Sequence, residues 1–344
     1  MKLLITTQAV DRQDSNLGFF HRWIEEFASH CEQVTVICLR EGDHALPANV
    51  RVVSLGKEVG TSRLVRIYRF FRYIYRYKND YDAVFVHMNP EYVLLGGFLW
   101  RRWGKKIGLW YAHRSRTHKL AQAVIAVDRV LTVSESSFPI HTPKLKALGH
   151  GIDTELFRPQ LRQESTQTRI VTTGRVAESK HLLEMLQTLD VLHARGEKFT
   201  FTIVGVATAP AEEQYAARLV KEIARRPYQE KVRLLGAVPH DRLPEVLHTQ
   251  DLFFNFGGTG NMDKAGLEAL ACGIPVLATN SAFQEMLAPY GLFVPTLSGD
   301  AIADTVESFL RRADHPAITA TLRNKIVTEH SLTSLIPKIL TELR

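Results

Sequence analysis

Residues 255–280 read NFGGTGNMDKAGLEALACGIPVLATN, and how this stretch is parsed decides the fold. Three glycines and an Asp-Lys pair lead into a run of small residues that holds a fourth glycine, Gly266, and one acid, Glu268. Gly273-Ile274-Pro275 ends that run, and VLAT has the continuous apolar character of a buried strand. The pattern is therefore strand, glycine loop, helix, strand. A helix that starts behind glycines presents free N–H groups and the positive end of its dipole, which suits an anionic ligand as well as it suits a tight turn.

Outward from this stretch the same alternation fills the chain. KLLITT, QVTVICL, VRVVSL, DAVFVHM, IGLWYA and RVLTVS read as strands in the first half, and RIVTTG, FTFTIVG, VRLLGAV, DLFFNF and PVLAT in the second. Helical patterns such as FFHRWIEEFASH lie between them, which predicts α/β architecture with parallel sheets. At 344 residues two domains are expected. The aperiodic segment QLRQESTQT, residues 160–168, reads as the linker. This gives a first domain over 1–159, a second over 169–328 and a closing helix over 329–344. In doubly wound sheets ligands bind beyond the carboxyl ends of the strands, so the expected site lies in the cleft between two facing halves.

Charge divides unevenly. Residues 1–150 hold 22 Lys and Arg against 13 Asp and Glu, a net +9, while the remainder is at −2. A basic half implies an anionic partner. The segment TSRLVRIYRFFRYIYRYK (61–78) places Leu64, Ile67, Tyr68, Phe71, Ile74 and Tyr75 on one helical stripe. The opposite face then mixes Arg66, Arg69 and Arg76 with Phe70, Tyr73 and Tyr77, a pattern that fits an anionic membrane surface or a solvated face packed on a loop. No RNA-binding module is visible, so nucleic acid is not the expected partner. The opening apolar run is too short for a signal peptide, no window is long enough to span a membrane, and three cysteines share no metal spacing. These features together point to the cytoplasm, with peripheral contact at the inner face of the cell membrane.

The motifs narrow the chemistry. No G-x-G-x-x-G follows a strand, and GGTGNMDKAG lacks the GK[ST] ending of a P-loop. Asp80 and Asp82 have the Asp-x-Asp spacing of metal-dependent sugar transferases but stand at the amino end of a strand, the wrong end for a site. VTTGRVAESK instead places Gly174, Arg175 and Lys180 at a strand exit, where two cations can neutralise a departing diphosphate. Gly258, Gly260 and Gly266 let backbone approach a ligand, and Glu268 can accept from the vicinal hydroxyls of a ribose. Gly18 in the first βα loop brings its amide to a donor phosphate. His87 and His113 both end strands. His113 is the stronger candidate for orienting donor or acceptor hydroxyls, and Arg114 and Arg116 beside it can grip an acceptor phosphate.

The combination GHGIDTELFRP, GRVAESK and LEALACGIPVLAT resembles the family 4 retaining glycosyltransferases of GT-B fold, from the first strand to the last helix. The resemblance implies two facing Rossmann-like domains and transfer from a nucleotide-diphosphate-sugar to a glycan or lipid-linked acceptor. It further implies retention of the anomeric configuration, with no metal and no cofactor. It makes Arg175 and Lys180 the diphosphate pair, Glu268 the ribose acid and Val238 the nucleobase contact. His113 matches a position lining the sugar pocket, and Leu267 joins the donor-binding segment. The chain departs from the family where the first acid of Glu-x7-Glu should stand: Gly260 is there, with Asp263 and Lys264 nearby to take its place. A sugar-nucleotide epimerase of similar architecture and an inactive nucleotide-sugar-binding protein remain as alternatives.

Overall fold

The computed structural model describes residues 1–14, 17–161, 163–257 and 262–344. The chain divides into two compact units, Met1–Gly151 with Glu329–Arg344, and Ile152–Thr328.

The first unit is built on seven parallel strands: β1 (Lys2–Val10), β2 (Gln33–Glu41), β3 (Val50–Ser54), β4 (Ala83–His87), β5 (Lys106–Trp110), β6 (Arg129–Thr132) and β7 (Leu145–Ala147), in spatial order β3-β2-β1-β4-β5-β6-β7. Its helices are α1 (Phe19–His30), α2 (Arg63–Arg76), α3 (Pro90–Arg102) and α4 (His118–Ala126). β1 and β4 are buried along most of their length because helices cover both faces, which is why they read as continuous apolar runs rather than alternations.

The second unit has five parallel strands, β8 (Thr168–Thr173), β9 (Phe199–Val204), β10 (Val232–Gly236), β11 (Leu252–Asn255) and β12 (Val276–Ala278), in order β10-β9-β8-β11-β12. Among the described residues its helices are α5 (Leu182–Ala194), α6 (Pro210–Ala224), α7 (Leu243–Leu247), α8 (Lys264–Ala271), α9 (Gln284–Leu287), α10 (Gly299–Leu310) and α11 (His315–His330). The last helix, α12 (Leu332–Glu342), returns to the first unit, where Leu332, Leu335, Ile336, Ile339, Leu340 and Leu343 join the core around Trp23, Phe27 and Phe85. Each sheet reverses its winding once, at β1/β4 and at β8/β11, and those switch points open a crevice at the carboxyl ends of the strands.

The second unit begins earlier than the linker expectation placed it. Ile152 and Phe157 are buried in the core of the second unit, so IDTELFRP belongs there, while Gly151 stays with the first unit. Residues 163–168 then run into β8 as part of that unit.

The phase of α2 also differs from the expected stripe. Phe70 and Ile74 are its buried residues, with Phe70 stacked on Tyr92 and edge-on to Trp100 of α3. Leu64, Tyr68 and Tyr75, assigned inward from the periodicity, are exposed. Arg69, assigned outward, donates from Nη1 to the Leu55 carbonyl at 3.2 Å and holds the loop after β3. Apolar residues occur all round this helix, and the aromatic partners on α3 choose which of them go inside. Asp80 and Asp82 have structural partners: Asp80 accepts from Arg51 at 3.0 Å and Asp82 from the Lys2 amide at 2.7 Å. No described helix is long and apolar enough to cross a membrane.

Candidate functional site

In its described residues the quoted stretch shows the strand, helix and strand that were read. α8 starts at Lys264, capped by Asp263, whose carboxylate accepts from the Ala265 amide at 3.4 Å. It follows β11 across the second unit's switch point from β8, so residues 174–180 and 262–268 come from adjoining strand ends. Gly258 and Gly260 lie outside the described residues.

Two backbone positions shape the floor. Gly174 leaves β8 with φ +135°, and a Cβ there would meet Lys180 Cε at 3.2 Å, so the lysine stem lies along the glycine. Gly205, at the exit of β9, has φ +136°, and its Cβ would fall 1.8 Å from the Gly174 carbonyl oxygen. Gly205 then donates to Gly236 O at 2.7 Å, so three strand exits are tied backbone to backbone. A side chain at either glycine would push them apart. Gly266 has a different task from the one expected. Its Cβ would strike Asn255 Nδ2 and Phe283 Cζ, both at 2.8 Å, so the missing side chain lets α8 pack on its own unit. Leu267 is likewise core, and its amide bonds to the Asp263 carbonyl at 3.4 Å.

The cations do not stand open. Lys180 Nζ is bound to the Asp263 carboxylate and Arg175 Nη1 to Glu212. Glu212 also accepts from the Thr208 amide and hydroxyl, both at 2.8 Å, and these bonds, more than Arg175, hold its carboxyl below the usual range. The site thus carries paired charge, and an anionic ligand has to compete with two carboxylates for its cations. Lys264, half-buried, sits one turn before Glu268 on α8; burial pushes its ammonium down to about 7, with Glu268 pulling the other way.

Glu268 itself is 6% exposed. His240 donates from Nε2 to its Oε1 at 2.9 Å, and the His240 ring stands edge-on to Phe157 at 5.2 Å. The sequence reading did not single out His240; it lies 28 positions from Glu268, and only the pairing of GAVPHD with α8 in space brings them together. Val238, two residues earlier, is half-buried against the same core. A cavity of about 750 Å³ opens at the opposite, amino end of this sheet beside Arg169 and Asp251, but those two are bonded to each other and none of the candidate site residues lines it.

In the first unit, Gly18 caps α1 with helical backbone. Its amide donates to Asp14 O at 2.9 Å, and a Cβ would meet that oxygen at 2.7 Å. The amide expected to face a phosphate is therefore already bonded within the loop. His87 is buried, 3.1 Å from Thr7 Oγ1 and stacked on Phe20 at 3.9 Å, so it anchors the strand end. His113 is exposed and accepts from the Ser115 amide at 2.9 Å. Arg114 donates to Ser136 O at 3.1 Å, and Arg116 is exposed.

The model of the family described as glycosyl transferases group 1 matches residues 153–322, the span that holds Arg175, Lys180, Asp263 and Glu268. The second unit is a glycosyl transferases group 1 domain. The chain is 27% identical over 251 residues to the amylovoran biosynthesis glycosyltransferase AmsK of Erwinia amylovora, covering 66% of this chain and 60% of AmsK. It is 26% identical over 171 residues to a phosphatidylinositol N-acetylglucosaminyltransferase subunit of Arabidopsis thaliana, covering 47% of this chain and 37% of the plant protein. The chain thus spans less than two thirds of the length of both relatives. Among solved structures, Anabaena HepE in complex with UDP and glucose superposes with a TM-score of 0.76 over 100% of this chain and 99% of HepE, at 15% identity. At that identity the likeness concerns the fold, and the fold is GT-B, with the group 1 domain as its second half.

Proposed function

We propose that the chain is a glycosyltransferase that moves a sugar from a nucleotide-diphosphate-sugar to a glycan or lipid-linked acceptor with retention at the anomeric carbon. The observation that carries this reading is the gathering of Arg175, Lys180, Asp263, Lys264 and Glu268 at one switch point of the group 1 domain. Glu268, steadied by His240, takes the ribose hydroxyls. Arg175 and Lys180 exchange their carboxylate partners for the diphosphate and stabilise the charge that grows as it leaves, in place of a metal ion. Asp263, released from Lys180, faces the sugar hydroxyls in the role of the acid replaced by Gly260. The bond from anomeric carbon to diphosphate breaks on the face where the acceptor oxygen attaches, and the acceptor's hydroxyl proton passes to a phosphate oxygen of the leaving group. The structure of HepE with UDP and glucose makes a uridine nucleotide the first donor to try.

The test is a thermal-shift and product assay with UDP, GDP and ADP and their glucose conjugates. One diphosphate should raise the melting temperature, and Glu268→Ala should weaken its binding about 10- to 100-fold by removing charged hydrogen bonds to ribose. Lys180→Ala should abolish transfer. Equal binding by Glu268→Ala, or full transfer by Lys180→Ala, would overturn the site. Epimerised donor without any acceptor would replace transfer by isomerisation.

A further inference from the structure

The first unit carries a cavity of its own at the carboxyl side of its sheet, of about 420 Å³, within the range of small-molecule seats. It lies by the β1/β4 switch: Gln8 of β1 donates from Nε2 to Asn89 Oδ1 at 2.9 Å, closing one wall, while α2 and α3 form the others. Its floor is aliphatic and aromatic, with Leu39, Ile67, Phe70 and Leu95. Its rim is cationic, with Lys57, Arg63 and Arg66.

Those cations differ from the pair in the group 1 domain. Among the described residues none of the three is in a salt bridge, and the one carboxylate on the wall, Glu91, is bonded to Lys119 at 2.9 Å. An apolar floor under unbridged positive charge matches a ligand that is apolar at one end and anionic at the other. Polar glycans make no use of such a floor. A nucleotide would use the floor but not what lies beside it. Leu64 and Tyr68 on α2, and Leu94 and Phe98 on α3, are 78%, 65%, 39% and 73% exposed on the same two helices. Leu64 lies one turn from Ile67 and Phe98 one turn from Leu95, so exposed apolar side chains flank the floor on both helices, where a chain longer than the cavity would run.

We infer that this cavity seats a phosphorylated amphiphile, its phosphate ester on Arg63, Arg66 and Lys57 and its aliphatic chain on the Leu39–Leu95 floor. That this molecule is the acceptor rests on the glycosyltransferase reading; that it binds does not.

The test is calorimetry on the full chain with decyl phosphate below its micelle concentration, against inorganic phosphate, decanol and UMP. Decyl phosphate should bind saturably, about tenfold or more tighter than any of the other three, because only it uses both floor and rim. Leu95→Trp, which fills the floor, and Arg66→Gln, which thins the rim, should each cost about tenfold. If Leu95→Trp lowers the melting temperature, Ile67→Phe fills the same space with a smaller addition. Decyl phosphate binding no tighter than inorganic phosphate or UMP would overturn the inference. So would unchanged binding by folded cavity-filled variants, which would put the contact on the outer face of α2. UDP titrated into the same samples separates the two readings. UDP binding without decyl phosphate binding removes the cavity and keeps the donor seat, and the reverse removes the donor seat alone.

Discussion

Lys180 and Asp263 are 83 positions apart and joined, and that contact changes how the donor site works. Sequence alone suggests cations waiting for an anion. In the structure each cation already has a carboxylate, so ligand binding is an exchange of partners, and the net gain is smaller than bare positive charge would give. Lys264 is the group whose protonation reports on that exchange. Its pKa of about 7 lies below the unfolded value of about 10.4, so between those limits the unfolded chain holds a proton that the folded chain has lost, and stability rises with pH across that window. A bound diphosphate favours the charged form and reverses the shift. At pH 8, binding of UDP should therefore take up about one proton per site, read from calorimetry in buffers of different ionisation enthalpy. Lys264→Met should abolish the uptake. A buffer-independent heat for the unaltered chain would place the ligand away from α8. Glu268 and the two cations were legible because each sits inside a local motif. His240 was not, since its partner is supplied by another loop.

At the scale of elements, strands were read from apolar runs and turns from glycines, yet glycines with identical sequence signals do unlike work. Gly196, after α5, has φ +79° and nothing within 4 Å of a Cβ; Gly205 has the Gly174 carbonyl in the way. Gly196→Ala should cost about 1 kcal/mol, the penalty of left-handed backbone for a residue with a Cβ. Gly205→Ala adds a clash with backbone and should cost about 3 kcal/mol or more, with loss of nucleotide binding because the β8 and β9 exits separate. Urea denaturation of the two variants measures the difference, and equal midpoints would mean that the exits move freely. β7 escaped the sequence reading for a similar reason. Its three residues, Leu145–Ala147, are half-buried or exposed and carry no apolar pattern; it is a strand because β6 offers it an edge. The phase of α2 was lost because apolar side chains surround the helix, and only packing on α3 distinguishes them.

At the scale of the molecule, the chain returns to the first unit at Glu329, and α12 belongs wholly to that unit. Six of its apolar side chains, including the flanking Leu343, lie in the core of the first unit with α1. Burying them contributes on the order of 10 kcal/mol, an upper bound that equals the whole stability of a typical domain. A chain ending at Thr328 should therefore lose the fold of residues 1–151 while residues 152–328 keep theirs, seen by limited proteolysis and by a melting transition that survives with UDP. A truncated chain melting like the full one would show that α12 adds nothing.

The sequence by itself determined the alternation of strands and helices, the basic first half, and the local motifs of the group 1 domain, because each of these is written in residues close together along the chain. Only the tertiary structure decided where the second unit starts, which face of α2 is buried, that the cations are paired, and that His240 holds Glu268. Those depend on contacts between segments tens of residues apart, and such contacts are selected by the packing of the whole unit, which no local window contains.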